Sequence, residues 1–366
     1  MGKHLSLSSI DIGNLMLELS GLVGARINKV YQFGDKFTLR LKTKQGTTNL
    51  NIVFPGLLFV SESVKYATPE ATSFVMSLRK HIANAFIESI NQIGAERIVN
   101  FGIIKGNQKL KLVVELFSKG NLLLLDENNK ILIVLHSQTW SNRELKRGRS
   151  YVCPPNTIGY KANPKEIEGL IKQTKQPSLV KFLAVELGLG GIYAEELCFV
   201  NRWDKEGLPQ TVSPADIHKA IHKLLDRKLN PTIYYSEEHP IALSSYVLKS
   251  LANLKSEPYD SISAMVEHYL QYVEQHEESP LQARIQKQER MIEKQKQHLK
   301  QLELSVEENM KKGELIYERY QELKQLFNNL ERIREKKGWN AVFEFLEKHP
   351  KVKSVSRKNF SFVYEA

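Results

Sequence analysis

Apolar and polar positions in the first part of the chain predict one helix followed by a small sheet. Over residues 8–25 apolar side chains recur at helical spacing, with Ser9 as the predicted N-cap and Asp11 near the start of the helix. From residue 26 to 59 the period changes to two, and Gly-Asp and Gln-Gly pairs supply turns between the extended runs. This pattern indicates antiparallel strands.

A second helix and four further strands are predicted in the next part of the chain. The helix opens at Thr68-Pro69, runs through residues 74–82 and ends in Arg79, Lys80 and His81. The chain from residue 1 to about 155 therefore predicts an α+β domain built on antiparallel pairing. The strands lie around residues 98–104, 110–116, 121–125 and 131–135, with a hairpin turn at residues 126–129.

Residues 164–228 have a helical pattern with a glycine-rich turn at their centre. Gly188, Gly190 and Gly191 lie in the run LGLGGIYAEELC, which is typical of a helix-hairpin-helix. Glycines in such a turn can adopt positive φ and let backbone amides face a phosphate oxygen. Many such hairpins are purely structural, and the acidic balance of this segment favours that alternative. A dinucleotide-binding loop is rejected because no strand precedes the glycines.

Residues 281–335 are charged and predict a long helix that belongs to a coiled coil. A second apolar register, at residues 316–330, follows the first, and Gly313 near the change of register predicts a bend. After Trp339 only a small piece of chain follows, so the predicted coil is either half of an antiparallel hairpin or intermolecular. The first register consists of Ile285, Ile292, Leu299 and Val306, seven residues apart.

Charge is distributed unevenly along the 366 residues. Residues 1–160 carry 20 basic and 11 acidic side chains, a net charge of +9. Residues 161–280 have a net charge of −4 and residues 281–366 one of +6, which completes the total of +11. Basic segments favour a polyanionic partner, because Lys and Arg release counterions when they neutralise phosphates. A well-solvated surface is the alternative, and charge alone leaves both open.

Composition and motifs exclude several classes of protein. No run approaches the ~18 apolar residues of a transmembrane helix, and none near the amino terminus is long enough for a signal peptide. A cytoplasmic protein without membrane contact is therefore expected. The two cysteines, Cys153 and Cys198, cannot form a disulfide framework, and the ten histidines show no metal-ligand spacing, so no metal or cofactor is expected. No catalytic motif occurs, and we do not expect an enzyme.

A basic and aromatic block occupies residues 140–155. Four basic residues fall within seven positions and two aromatic residues flank them. This pattern can hold an RNA backbone and stack on a base, and a basic linker leaving the domain is equally consistent with it. The basic residues are Arg143, Lys146, Arg147 and Arg149, between Trp140 and Tyr151.

Six motifs follow one another along the chain: SSID at residues 8–11, GARINKVYQ at 24–32, FVMSLRKHI at 74–82, QIGAERIV at 92–99, ELFSKGNLLLL at 115–125 and RSYVCPP at 149–155. In this order they resemble the NFACT family of ribosome-associated quality-control factors. Bacterial members of this family are often labelled fibronectin-binding proteins, and the run ELFSKGN is more similar to archaeal or eukaryotic members. The resemblance extends to about Trp339.

The resemblance implies a multidomain architecture. Residues 1–158 would form an antiparallel-sheet NFACT-N domain, similar to the N-terminal part of DNA glycosylases, and residues 159–275 an all-α helix-hairpin-helix domain. Residues 276–337 would form the coiled-coil arm and residues 338–366 the start of a small middle module. A returning helix and a C-terminal NFACT-R domain are expected beyond this sequence, in a longer protein.

The resemblance also implies tRNA-handling residues. The family uses an Asp near the start of the chain, matched by Asp11, and an Asp-Arg pair, matched by Glu96 and Arg97. Glu in place of Asp keeps the charge and adds one methylene, which places tail elongation in more doubt than tRNA binding. Without the resemblance, Glu96 and Arg97 would be interpreted as a plain ion pair. Arg79 and Lys80 complete the expected tRNA contacts.

The expected function is therefore that of a non-enzymatic RNA-binding factor. By resemblance it would bind obstructed large ribosomal subunits, recruit aminoacyl-tRNA and support untemplated tailing of stalled chains. Expected partners are tRNA, the large subunit and a ubiquitin ligase or another quality-control protein. A DNA glycosylase or lyase relative is the first alternative, although the chain begins Met1-Gly2-Lys3 and lacks the N-terminal Pro of that chemistry. A surface adhesin, which would require export, is the second.

Overall fold

The computed structural model describes residues 5–63, 71–140, 143–154, 158–276 and 280–365, with only the backbone for residues 280–287 and 290. The chain divides into two compact units, Met1–His276 and Glu277–Ala366. The described part combines helices with antiparallel sheet, as the α+β prediction requires.

The first unit is built on a nine-stranded antiparallel sheet. Its strands are β1 (Arg26–Phe33), β2 (Lys36–Lys42), β3 (Thr47–Val53), β4 (Leu57–Ser61), β5 (Phe86–Gln92), β6 (Ile98–Lys105), β7 (Gln108–Glu115), β8 (Asn121–Asp126) and β9 (Ile131–Val134). Their order is β4-β3-β2-β1-β5-β6-β7-β8-β9, and neighbours pair antiparallel. The predicted strands are confirmed, and β5 is an additional strand that joins the two halves. A two-stranded ribbon follows, formed by β10 (Gln138–Thr139) and β11 (Glu144–Leu145).

Two helices pack near this sheet, and their ends differ from the prediction. Helix α1 (Ser9–Leu19) has Ser8 as its N-cap, not Ser9, because the extended backbone of Ser8 lets its side chain accept from the Asp11 amide. Helix α2 (Ser73–Ile82) begins after Thr72, whose hydroxyl accepts from the Val75 amide at 3.2 Å. The predicted start at Thr68-Pro69 lies outside the described residues.

The rest of the first unit contains helices and a small sheet. The helices are α3 (Pro164–Gln173), α4 (Leu179–Lys181, continued as a π-helix over Phe182–Glu186), α5 (Gly191–Asn201), α6 (Pro214–Leu225) and α7 (Ile262–His276). Strands β12 (Thr232–Ser236), β13 (His239–Ser244) and β14 (Lys255–Pro258) form a three-stranded sheet in the order β13-β12-β14.

The all-α prediction for residues 159–275 is therefore wrong. Side chains on strand β12 alternate between two hydrophobic cores, with Ile233 and Tyr235 in the core of the large sheet and Tyr234 in the core of the helices. A strand does this because successive side chains point to opposite faces. Both faces are apolar, so the short segment lacks the alternation that identifies a half-buried strand.

The second unit contains two long helices and a hairpin. Helix α8 (Pro280–Glu318) continues through Gly313, and the break predicted there lies instead at Arg319, before α9 (Tyr320–Glu347). Gly338 interrupts α9 with a φ of 75°. Strands β15 (Val352–Ser356) and β16 (Ser361–Tyr364) contribute apolar side chains to a core around Leu330 and Val342 of α9.

The coiled-coil register of α8 remains exposed. Leu299, Val306 and Ile316 are more than half exposed, at 58%, 56% and 56%. No second long helix lies alongside α8 among the residues that the structure describes. Pairing of this helix in a coiled coil therefore stays a prediction.

Candidate functional site

A cleft of about 900 Å³ in the first unit is the candidate site. Five chain segments line it: the residues that lead into and begin α1, the turn between β5 and β6, Gly159, the glycine segment between the π-helix and α5 with the last residues of that π-helix, and strand β13. It brings together six residues that the sequence singles out from distant positions. They are Asp11, Glu96, Arg97, Gly188, Gly190 and Gly191.

Asp11 borders the cleft, but its carboxylate is buried and hydrogen-bonded. The residue is 1% exposed. One oxygen, Oδ2, accepts from the Ser8 amide at 2.9 Å and from the Ser8 hydroxyl at 2.7 Å. The other, Oδ1, accepts from the Ser245 amide at 2.9 Å, from the Ser245 hydroxyl at 2.6 Å and from the Tyr193 hydroxyl. The carboxylate therefore joins α1, α5 and the loop after β13.

Glu96 and Arg97 lie on a cleft wall and are each partly buried. Burial raises the pKa of the Glu96 carboxyl, and the positive charges of Arg97 and Arg143 counteract this effect. Burial likewise lowers the pKa of the Arg97 guanidinium, which Glu96 opposes. Arg97 Nη1 donates to the Ser6 hydroxyl at 3.3 Å. The pair therefore places one positive and one negative group on a partly desolvated surface.

Gln92 at the end of β5 positions the turn that carries this pair. Its side-chain amide donates to the Ser9 carbonyl at 2.7 Å and to the Glu96 carbonyl at 3.0 Å. The turn is thereby tied to the first residue of α1. The sequence offers no signal for this role, since a glutamine at a strand end is ordinary.

The glycine segment forms another part of the cleft. Gly188 and Gly190 have φ values of +64° and +77°, in the left-handed region that favours glycine. The Ser9 hydroxyl donates to the Gly188 carbonyl and so links the segment to α1. Helix α5 has no side-chain cap at Gly190, and its amino-terminal end borders the cleft at Gly191 and Ile192.

Arg79 and Lys80 do not line this cleft. Arg79 Nε donates to the Val30 carbonyl at 2.8 Å, and its guanidinium lies over the Tyr31 ring at 5.8 Å. These contacts attach the last turn of α2 to β1. Lys80 is exposed, and Lys105 Nζ donates to its carbonyl at 2.9 Å.

Lys80 belongs to a group of side chains that we call the basic cluster: the cations Lys80, Lys105 and Arg147, with the His81 imidazole among them. Burial lowers the pKa of the His81 imidazole, and the positive charges of Lys80, Lys105 and Arg147 lower it further. Three segments that are distant in sequence therefore place like charges near one imidazole. The cluster joins residues from two of the basic regions that the sequence singles out separately.

The predicted RNA contacts at residues 143–149 divide into buried and exposed groups. Arg143 is 8% exposed, ion-paired with Glu115, and packed between the rings of Trp140 and Tyr151 at 5.5 and 5.2 Å. The Arg143 guanidinium is thus engaged inside the domain, and its contact with an RNA backbone stays a prediction. The exposed residues are Lys146 and Arg149, which pair with Glu144 at 2.8 and 3.0 Å, and Arg147.

Tyr193 and Ser245 are two residues of the site that the sequence does not single out. Both are fully buried and bind Asp11 from 182 and 234 residues away. A tyrosine in an apolar helical pattern and a serine after a strand carry no sequence signal of this contact. In the part of the chain that the structure describes, no group of three or more His, Cys, Asp or Glu side chains could hold a metal ion. No described helix combines the length and apolar character that crossing a membrane requires.

Comparison with known proteins identifies related chains. An archaeal Rqc2 homolog, aRqcH, from Methanocaldococcus jannaschii is 26% identical over 94% of this chain and 55% of its own length. The Rqc2 homolog RqcH of Streptococcus pneumoniae is 25% identical over 81% of this chain and 55% of its own length. The human ribosome quality control complex subunit NEMF is 30% identical over 36% of this chain and 12% of its own length. This chain thus spans about half the length of the first two relatives.

Solved structures show the same fold. The N-terminal part of the fibronectin/fibrinogen-binding protein from Streptococcus suis has a TM-score of 0.58 at 23% identity, over 73% of this chain and 99% of that chain. The fibrinogen-binding protein from Staphylococcus aureus has a TM-score of 0.57 at 19% identity, over 72% of this chain and 98% of that chain. The family described as NFACT N-terminal and middle domains matches residues 8–356. The chain therefore belongs to the NFACT family.

Proposed function

We propose that this protein is a cytoplasmic factor of ribosome-associated quality control that binds tRNA and the large ribosomal subunit. In this proposal it recruits aminoacyl-tRNA to obstructed subunits and supports untemplated tailing of stalled chains. Membership of the NFACT family and relatives named as Rqc2 homologs support the role. The single observation that carries the tRNA assignment is the cleft, where the turn of Glu96 and Arg97 borders the glycine segment.

The cleft and the basic cluster would both bind tRNA, through different residues. Arg97 is the cation among the residues that line the cleft, where it can bind a phosphate or a base edge. The glycine segment would act as a helix-hairpin-helix turn that offers backbone amides. Lys80, His81, Lys105 and Arg147 would hold the RNA backbone together with Lys146 and Arg149. Arg79 and Arg143 would support this surface from inside the domain.

The second unit would bind the large subunit. Its long helices would form part of a coiled-coil arm, and its net positive charge suits ribosomal RNA. A ubiquitin ligase or another quality-control protein would be a further partner. The protein would act by binding, without an enzymatic reaction of its own.

The decisive experiment measures tRNA binding by the chain over a series of salt concentrations. We expect wild-type affinity to fall steeply with salt, because phosphate contacts release counterions. Arg97→Ala should weaken binding about tenfold and reduce the salt slope by about 1. Arg40→Ala, which removes an exposed arginine of β2 outside the cleft, is the matched control. Absent or salt-independent binding, or equal effects of both variants, would overturn the proposal.

The departure from the family pattern at Glu96 has its own test. Glu96→Asp shortens the side chain by one methylene and restores the Asp-Arg pair. One way for the Glu96 carboxylate to act is by orienting Arg97 toward the acceptor end or another part of the tRNA. In that case Glu96→Asp should change the rate of tail addition by the full-length protein on isolated large subunits, while the affinity for tRNA stays nearly constant. A change in affinity equal to that of Arg97→Ala would show that the carboxylate serves binding alone.

A further inference from the structure

We propose that Asp11 does not contact RNA and is instead a positioning residue that holds the cleft open at a fixed width. In this inference, which rests on the proposed function, Asp11, Tyr193 and Ser245 form an interior latch between α1 and α5. The latch fixes the glycine segment relative to the turn that carries Arg97. Asp11 would thus affect tRNA binding through geometry alone.

The carboxylate of Asp11 has no capacity left for a ligand. A carboxylate offers about four acceptor positions. Five donors already surround it: the amide and hydroxyl of Ser8, the amide and hydroxyl of Ser245, and the hydroxyl of Tyr193. With 1% of the residue exposed, an RNA group would have to displace these donors, and those of Ser245 and Tyr193 would be left unpaired in the interior.

Tyr193 connects the latch to the glycine segment. It lies in the first turn of α5, three residues after Gly190, and is fully buried. Its hydroxyl donates to Asp11 and accepts from the Ser244 hydroxyl at 3.0 Å and the Ser245 amide at 2.9 Å. Burial, together with the charge of Asp11, raises the pKa of Tyr193, so the phenol keeps its proton and remains a donor.

A continuous chain of contacts connects this helix to Arg97. Ser9, beside the N-cap of α1, donates from its hydroxyl to the Gly188 carbonyl, and its own carbonyl accepts from Gln92 at 2.7 Å. The same Gln92 amide nitrogen donates to the Glu96 carbonyl at 3.0 Å. The start of α1 therefore contacts both parts of the cleft, and the Asp11 carboxylate locks α1 to α5. Without the Asp11 latch, the glycine segment would keep the Ser9 hydrogen bond to the Gly188 carbonyl and the packing of Ile10 in the core that contains Leu187 and Leu189.

The latch predicts that residues without access to RNA affect tRNA affinity. In the full chain, Tyr193→Phe and Ser245→Ala should each weaken tRNA binding about three- to tenfold, as should Asp11→Asn. None of them should change the salt slope, whereas Arg97→Ala reduces it by about 1. The Asp11→Asn and Tyr193→Phe effects should be less than additive in the double variant, because both break the same contact.

Tyr234→Phe provides the matched control. This tyrosine is 1% exposed in the same unit, and its hydroxyl accepts from the Leu248 amide at 2.6 Å. It should leave tRNA affinity within twofold of wild type. If Tyr193→Phe behaves like Tyr234→Phe while Asp11→Asn loses affinity, the latch is refuted and Asp11 contacts RNA.

Hydrogen exchange separates failure of the latch from failure of the proposed function. Tyr193→Phe should accelerate amide exchange in residues 188–194 and 95–97, and Tyr234→Phe should not. This readout needs no ligand, so it decides the latch even if the wild-type chain does not bind tRNA. Unchanged exchange in both segments would overturn the inference.

Discussion

Glu115 and Arg143 form an ion pair whose side chains are only 2% and 7% exposed. Tyr151 donates to the same Glu115 oxygen at 2.8 Å, and Arg143 Nε donates to the Val152 carbonyl at 2.6 Å. Burial and the neighbouring Glu115 charge raise the pKa of Tyr151, so its phenol stays a donor. At the scale of residues, a basic position that the sequence suggests for RNA contact is thus a structural one.

Arg143→Met should destabilise the first unit by about 3–5 kcal/mol, because it leaves the Glu115 carboxylate buried without its partner. Urea unfolding of the chain measures this change. Arg147→Met removes an exposed arginine from the same segment and should stay within about 0.5 kcal/mol of wild type. Equal stability of the two variants would contradict the structural role of Arg143.

His81 should make stability depend on pH. Its pKa lies below the ordinary value of 6.5, so the folded state binds fewer protons than the unfolded state as pH falls through that range. The stability that the neutral imidazole allows is therefore fully present above pH 6.5 and is lost as pH falls below it. Melting temperatures at pH 7.5, 6.5 and 5 should fall less for His81→Gln than for wild type. His298→Gln, at an exposed position of α8, should follow wild type.

At the scale of elements, the connection between the π-helix and α5 depends on backbone conformations that glycine provides. Gly190, the N-cap of α5, has positive φ, and a β-carbon there would lie 3.5 Å from the Ser8 β-carbon. The site has room for a methyl group, so conformational strain decides the effect of substitution. Gly191 differs, because it is the first helical residue and, apart from its chain neighbours and the backbone of its own helix, no described atom lies within 4 Å of the corresponding position.

Gly190→Ala and Gly191→Ala should therefore have opposite effects. The first forces an alanine into a conformation with positive φ and extended ψ that L residues rarely adopt, and it should cost about 1–3 kcal/mol. The second reduces the freedom of the unfolded chain and favours the helix, so it should stabilise by about 0.4–1 kcal/mol. Thermal or urea unfolding of the two variants checks the signs. Destabilisation of equal size would show that space, and not φ, limits this turn.

At the scale of the whole molecule, positive charge occurs in both units and would serve two different RNA partners. A groove on α9 in the second unit is lined by four cations and one acid. They are Arg332, Lys336, Lys337, Lys348 and Glu344. This groove is separate in sequence from the basic cluster of the first unit, so the two contacts can be tested independently.

Lys336→Glu with Lys337→Glu should weaken large-subunit binding about tenfold, since two attractive charges become repulsive toward phosphate. These two changes should reduce the tRNA affinity of the free chain no more than a control double variant does. The control is Lys219→Glu with Lys223→Glu, which reverses the charges of two exposed lysines of α6. The control double variant changes the net charge of the chain by the same amount as Lys336→Glu with Lys337→Glu. Co-sedimentation with isolated subunits and a tRNA-binding assay give the two values. Equal loss of subunit binding in both double variants would exclude this groove as a subunit contact.

Local patterns predict most of the elements in the first unit. Period-two alternation identifies the strands around residues 37–41 and 110–116, and the asparagines after Asp126 identify a hairpin, because these signals depend on neighbours within a few residues. Predictions from local patterns are wrong where the signal is weak or where two neighbouring residues carry the same signal. Ser8 and Ser9 are equally good caps by sequence, and only the backbone angles at Ser8 decide between them. Strand β12 is apolar on both faces because two cores meet there.

Four features can be derived from the amino-acid sequence: the antiparallel character of the first unit, the need for glycine before α5, the segregation of charge and, through the motifs, the family resemblance. Each depends on residue type and on spacing over short distances. The tertiary structure decided that Glu96 and Arg97 border the cleft with the glycine segment, that Asp11 is sealed by Tyr193 and Ser245, and that Arg143 is buried. These contacts join residues up to 234 positions apart, and no local propensity encodes which distant donor reaches a buried carboxylate.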